Sequence, residues 1–155
     1  MKNVVAKMSL LAVMTIIAAG VSVNAQSLSY KLTANIPFDF SVAGSEKLPA
    51  GKYTIGRAQQ SNGDTVVQIR STDGEANLVR FTIPVFAYNP VKKSSLVFRR
   101  YGNEYFLAEI WPVGALTGRE LPKTQAEREL ARKAENSGVA ALNAPDVKTV
   151  TIQVN

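Results

Sequence analysis

From Tyr30 to Trp111 the chain is a run of short apolar segments, each closed off by Gly, Pro, Asn, Asp or Ser. Alternation with frequent turn residues suits strands and denies a helix its 3.6-residue stripe. The pattern predicts strands at 29–35, 38–43, 52–59, 65–71, 77–83, 94–101 and 104–111, with a further alternating segment at 147–154. Such spacing predicts an antiparallel β-sandwich or flattened barrel of about seven to eight strands. Pro37 separates the first two segments, because proline cannot donate to a ladder.

Turn chemistry predicts register. Around Ser61-Asn62-Gly63, a three-residue loop sets Ile55 opposite Ile69 and Arg57 opposite Val67, with Tyr53, Ile55, Val67 and Ile69 on one face. Tyr101-Gly102-Asn103-Glu104 reads as a two-residue hairpin, with Phe98 opposite Leu107 and Leu96 opposite Glu109. Val79, Phe81 and Ile83 read as one inward row. A two-residue turn at Asp73-Gly74 pairs that row with Val66, Gln68 and Arg70, which implies either a bulge or a strand covered on both sides.

Past Pro112 the period changes. Pro112–Gly118 reads as a loop, and Thr124-Gln-Ala-Glu127 as a capping box opening a helix over 124–136. Ala126, Leu130 and Ala134 share a face at helical spacing, so the helix is expected to lie on the sheet through Leu130. The flank of Glu127, Arg128, Arg132 and Glu135 is expected to face solvent or a partner. Ser137–Pro145 reads as a small-residue linker.

The N-terminus carries a different pattern. Lys2 and Lys7 precede an apolar run from Met8 to Ala19, and Val23 and Ala25 place small residues at a cleavage site. These are the parts of a secretory signal over residues 1–25. The run is too short for a spanning helix, so no stable membrane span is expected once it is removed. Removal takes 25 of the 155 residues and leaves 130, a usual size for one domain over 26–155; losing two lysines lowers the net charge from +6 to +4. The expected location is periplasmic or extracellular.

The basic excess is mild and scattered, its tightest pairs being Lys92-Lys93 and Arg99-Arg100. No dense basic stripe interleaved with aromatics marks a nucleic-acid reader. The chain has neither cysteine nor histidine. That excludes thiolate–imidazole zinc sites, cysteine nucleophiles and a serine activated by imidazole. No cofactor fingerprint, phosphate loop or spaced calcium-binding loop is present, and no metal or cofactor is expected.

Carboxylates are what remains for chemistry. Glu104, Glu109 and Glu120 could supply a glycosidase-like pair, but nothing in the spacing fixes their separation, and solvated or ion-paired strand residues are the favoured explanation. The hairpin register sets Glu109 among Leu96, Leu107 and Trp111, where it needs a partner such as a neighbouring arginine or Arg119. Tyr53, Phe86, Tyr88, Tyr101, Tyr105 and Trp111 could include a sugar-stacking platform, although aromatics at strand spacing are more often core or cross-strand pairs. The residues singled out for partner or ligand contact are Glu109, Trp111, Arg119 and Glu120; none is assigned to catalysis, cofactor or metal.

Three stretches occur in order: NIPFDFSVAGSEKLPAGKYT from Asn35, LVFRRYGNEYFLAEIWP from Leu96 and GRELPKTQAERELARK from Gly118. Together they resemble a family of small exported bacterial proteins common in soil bacteria. The resemblance implies a secreted or periplasmic β-rich domain and no catalytic residues. The function expected is a non-catalytic binding or structural module of the cell envelope, its partner an envelope protein or glycan. The alternatives are a binder of a small apolar ligand or glycan between sheet and helix, or a small carboxylate-dependent hydrolase.

Overall fold

A computed structural model describes residues 30–44, 47–58, 65–138 and 148–154. The signal-like segment, the Ser61–Gly63 loop and most of the linker before the last strand lie outside them. Among the described residues the strands are β1 (Lys31–Ile36), β2 (Phe40–Ser41), β3 (Lys47–Leu48), β4 (Gly51–Arg57), β5 (Val66–Ser71), β6 (Asn77–Phe81), β7 (Ile83–Phe86), β8 (Ser95–Tyr101), β9 (Glu104–Trp111), β10 (Thr117–Glu120) and β11 (Lys148–Gln153), with one helix, α1 (Gln125–Gly138). A small antiparallel sheet runs β1-β4-β5-β6; a larger one runs β11-β8-β9-β10-β7, with β2 paired to β9 and β3 paired to β2. The described residues form a β-sandwich of these two sheets and no closed barrel, with the helix on its outside.

The core lies between the sheets. Leu32, Ala34, Ile36, Tyr53, Ile55, Val67 and Ile69 project from the small sheet; Phe40, Leu96, Phe98, Leu107, Ile110 and Leu121 meet them from the other side. Phe40 packs edge-on against Tyr53 and Phe98, with ring centroids 5.0 and 5.6 Å apart, so one aromatic trio ties both sheets together. Each such ring pair adds about 0.5–1.5 kcal/mol beyond its buried area. The Tyr53 hydroxyl donates to the Pro49 carbonyl at 2.7 Å. Burial, then the carboxylates of Asp73, Asp39 and Glu75, push its phenol pKa up.

The apolar pattern fixes β4–β5 as expected: Ile55 faces Ile69 and Arg57 faces Val67. The hairpin at Gly102 also forms, with Tyr101 opposite Glu104 and Phe98 opposite Leu107. Gly102 takes φ 60° while no non-glycine among the described residues, Asn103 included, has positive φ, the signature of a type II′ turn.

Two registers depart from expectation. A bulge between Val97 and Phe98 sets Leu96 opposite Ile110, and Val97 opposite Glu109. The extra residue carries Ile110 into the core and turns Glu109 to the outer face, which removes the expected burial of that carboxylate. The Val79–Phe81–Ile83 row is not inward. Val79 pairs Gln68 and Phe81 pairs Val66, on the outer face, while Leu78 and Arg80 take the inner positions. No bulge or second cover is needed, because the row is simply exposed.

β7 is a strand the pattern did not predict, and β10 starts at Thr117, inside the segment expected as loop. The chain leaves the small sheet at Thr82, whose amide and hydroxyl both donate to the Thr65 carbonyl, and enters the large sheet as β7. β10 pairs with β7 over Thr117–Glu120 and with β9 at Arg119 and Glu120.

Candidate functional site

The outer face of the large sheet carries most of the residues singled out from sequence. Glu120 lies opposite Ile83 on one side and Glu109 on the other, so Glu109 and Glu120 are direct cross-strand neighbours. Like charges so placed repel. Each carboxylate is held by its own donor: Trp111 Nε1 reaches Glu109 Oε2 at 2.7 Å, and Arg99 Nη1 reaches Glu120 Oε1 at 3.2 Å. The Trp111 ring lies over Gly118, where an added Cβ would stand 2.6 Å from Cδ2. Only a residue without a side chain lets the indole lie there.

Arg119 is not part of this group. Its register partner is Ile110, a core residue, so it points to the other face of the sheet. The expected pairing of Glu109 with an arginine is therefore replaced by the indole N–H of Trp111.

The charged centre that sequence reasoning missed is Arg99. It is 9% exposed, and its three nitrogens donate in three directions: Nε to Glu127 Oε1 at 2.6 Å, Nη1 to Glu120, and Nη2 to the Leu121 carbonyl at 3.1 Å. The Tyr101 hydroxyl adds a bond to Glu127 Oε1 at 3.3 Å. A signal was present in the sequence. Arg99 directly follows the apolar run Leu96-Val97-Phe98 and shares an alternation position with Tyr101, where a charge needs a partner.

The helix is turned accordingly. Thr124 Oγ1 accepts the Glu127 amide at 3.1 Å, half of the expected capping box. The other half does not form, because the Glu127 carboxylate turns to Arg99 instead. Glu127 is buried, Leu130 is half-buried and Ala126 is exposed. The inner face thus runs through Glu127 and Leu130, not through Ala126 and Leu130, and Glu127 does not belong to a solvent-facing flank.

A carboxylate pair that cleaves a glycoside flanks its substrate across a gap. Glu109 and Glu120 instead sit side by side on one sheet face, each already bonded, and Glu104 pairs with Lys47 at 3.1 Å near the hairpin. Tyr53 and Tyr101 are buried in packing roles, and Tyr105 stacks on Phe38 with centroids 3.9 Å apart. A cleft of about 250 Å³ opens elsewhere, on the outer face of the small sheet, among Lys31, Thr54, Gln68 and Arg70. Among the described residues no group of acidic side chains is arranged to hold a metal ion, and no helix is long and apolar enough to cross a membrane.

Large apolar side chains face outward at one corner. Phe81 and Phe86 are each 77% exposed and Tyr88 is fully so; Val79, Ile83, Val113 and Leu116 are about half exposed or more. They follow β6, β7 and the loops beyond.

The chain matches no family model, no curated protein and no solved structure. What the site can do is read from its geometry.

Proposed function

We propose that this chain is an exported, non-catalytic binding or structural module of the cell envelope, docking through the apolar strip along β6 and β7. The observation that carries the reading is that strip: Val79, Phe81, Ile83, Phe86 and Tyr88 lie exposed within ten residues of sequence. Several large apolar side chains exposed in one short segment of a domain with a filled core mark an interaction region. The carboxylates of the outer face support the same reading, since each is engaged in holding the fold. The resemblance to small exported bacterial proteins points the same way.

A ligand pocket between sheet and helix finds less support, because the Arg99–Glu127 pair and Tyr101 occupy that interface. The test is fractionation of the producing cells with wild type and with Phe81→Ser/Phe86→Ser. The wild type should be recovered with the envelope, and the variant should be released while its melt stays unchanged. Release of both, or retention of both, overturns the reading.

A further inference from the structure

Resting on the docking role proposed above, we infer that the pole built by residues 87–94 and 112–116 seats on an anionic lipid bilayer. The two loops are knitted together: Ala87 N donates to Leu116 O at 2.9 Å, Val91 N to Ala115 O at 3.1 Å and Gly114 N to Val91 O at 2.7 Å. They therefore present their side chains from a fixed frame. Phe86, Tyr88, Val113 and Leu116 are exposed there.

Charge selects the occupant. Lys92 and Lys93 are exposed on the same loop. Lys93 Nζ donates to the neutral Gln153 amide oxygen at 3.2 Å. No Asp or Glu occurs from Ala76 to Asn103, or from Ile110 to Arg119. The surface these segments build is thus apolar and cationic, with no carboxylate of its own to repel an acidic headgroup. Aromatic rings settle at the headgroup boundary, and lysines near an anionic leaflet add attraction. The contact is interfacial and asks for no spanning segment.

The fold disfavours the competing occupant, a protein strand added to the free edge of β7. Pro84 sits within that four-residue strand and has no N–H to offer an incoming ladder.

The test is co-sedimentation of the purified protein, its N-terminus fixed by intact mass, with phosphatidylglycerol–phosphatidylcholine vesicles and with phosphatidylcholine vesicles alone. The protein should pellet with the anionic vesicles, and less so in high salt. Phe86→Ser/Tyr88→Ser and Lys92→Glu/Lys93→Glu should each weaken binding by roughly tenfold or more. Lys31→Glu/Lys52→Glu makes the same charge change on the outer face of the small sheet and should leave binding within about twofold, since screening confines such attraction to a Debye length. Melts confirm that each variant is folded. Absence of binding to anionic vesicles, or equal loss in the control, overturns the inference. If the wild type ignores vesicles yet Phe81→Ser/Phe86→Ser still leaves the envelope, the surface docks a protein: the lipid inference falls and the binding-module reading stands. If neither is seen, both fall.

Discussion

Arg99 and Glu127 meet at 2.6 Å in the buried seam between β8 and α1, and this pair holds the helix to the sheet. The helix brings little apolar surface to that seam, with Leu130 only half-buried. Its attachment is therefore ionic and hydrogen-bonded more than hydrophobic. Removing one partner leaves the other charged and desolvated. Glu127→Ala should cost about 3 kcal/mol, the lower end for a broken buried pair because Glu120 still reaches Arg99. Leu130→Ala should cost less, about 1 kcal/mol. Denaturant unfolding of the two variants reverses the order if Leu130 is the true anchor.

Exposure and burial alternate along β5 and β6, so stability should follow them. Phe81→Thr should change the unfolding free energy by less than about 0.5 kcal/mol, as surface substitutions do. Ile69→Ala, on the core face, should cost about 2–5 kcal/mol. A large loss at Phe81 would return it to the core.

Gly118 lies under the Trp111 ring. Gly118→Val should displace the indole, cost roughly 1–3 kcal/mol as overpacking does, and break the Trp111–Glu109 bond. Trp111 is the sole tryptophan, so its fluorescence reports the change directly. An unshifted emission spectrum would contradict the contact.

Asp73 accepts from the Ser71 hydroxyl and the Glu75 amide, and these bonds hold its carboxyl below the ordinary value. A lowered folded-state pKa contributes stability above the unfolded value and loses it as pH falls through the folded one. The gap in stability between wild type and Asp73→Asn should therefore be widest near neutral pH and close in acid. Carbon-detected titration of Asp73 should place its midpoint below that of a free aspartate; a midpoint at or above it would remove the turn's role.

If residues 1–25 are an export signal, the exported protein should begin at Gln26. Intact-mass measurement checks it, and a mass that includes Met1–Ala25 would make the segment an anchor.

Much of the sandwich was legible because apolar alternation and glycine turns act locally. Ile55 against Ile69 and Tyr101 against Glu104 follow from turn length and pattern alone. The misses share a cause: tertiary partners outvoted local cues. The bulge at Val97 pays for Ile110 entering the core, and no local signal announces it. Glu127 satisfies a capping-box motif by spacing, yet a guanidinium 28 residues earlier in the chain claims its carboxylate. The outward row of Val79 and Phe81 contradicts the rule that apolar residues go inside, and only the pairing with Gln68 and Val66 corrects it. At the candidate site, sequence found Glu109, Trp111 and Glu120 but not the face-reversing parity that separates Arg119 from them.

The passage of the chain through Thr82 has a mechanical consequence. Because β6 ends one sheet and β7 begins an edge of the other with a single residue between them, neither layer can peel at that corner alone. A pull on the large sheet's outer strand is handed to the small sheet as tension in one covalent ribbon. The two hydrogen bonds from the Thr82 amide and hydroxyl to the Thr65 carbonyl act as the clamp at the bend. Force applied at that corner is thereby shared by both layers of the sandwich.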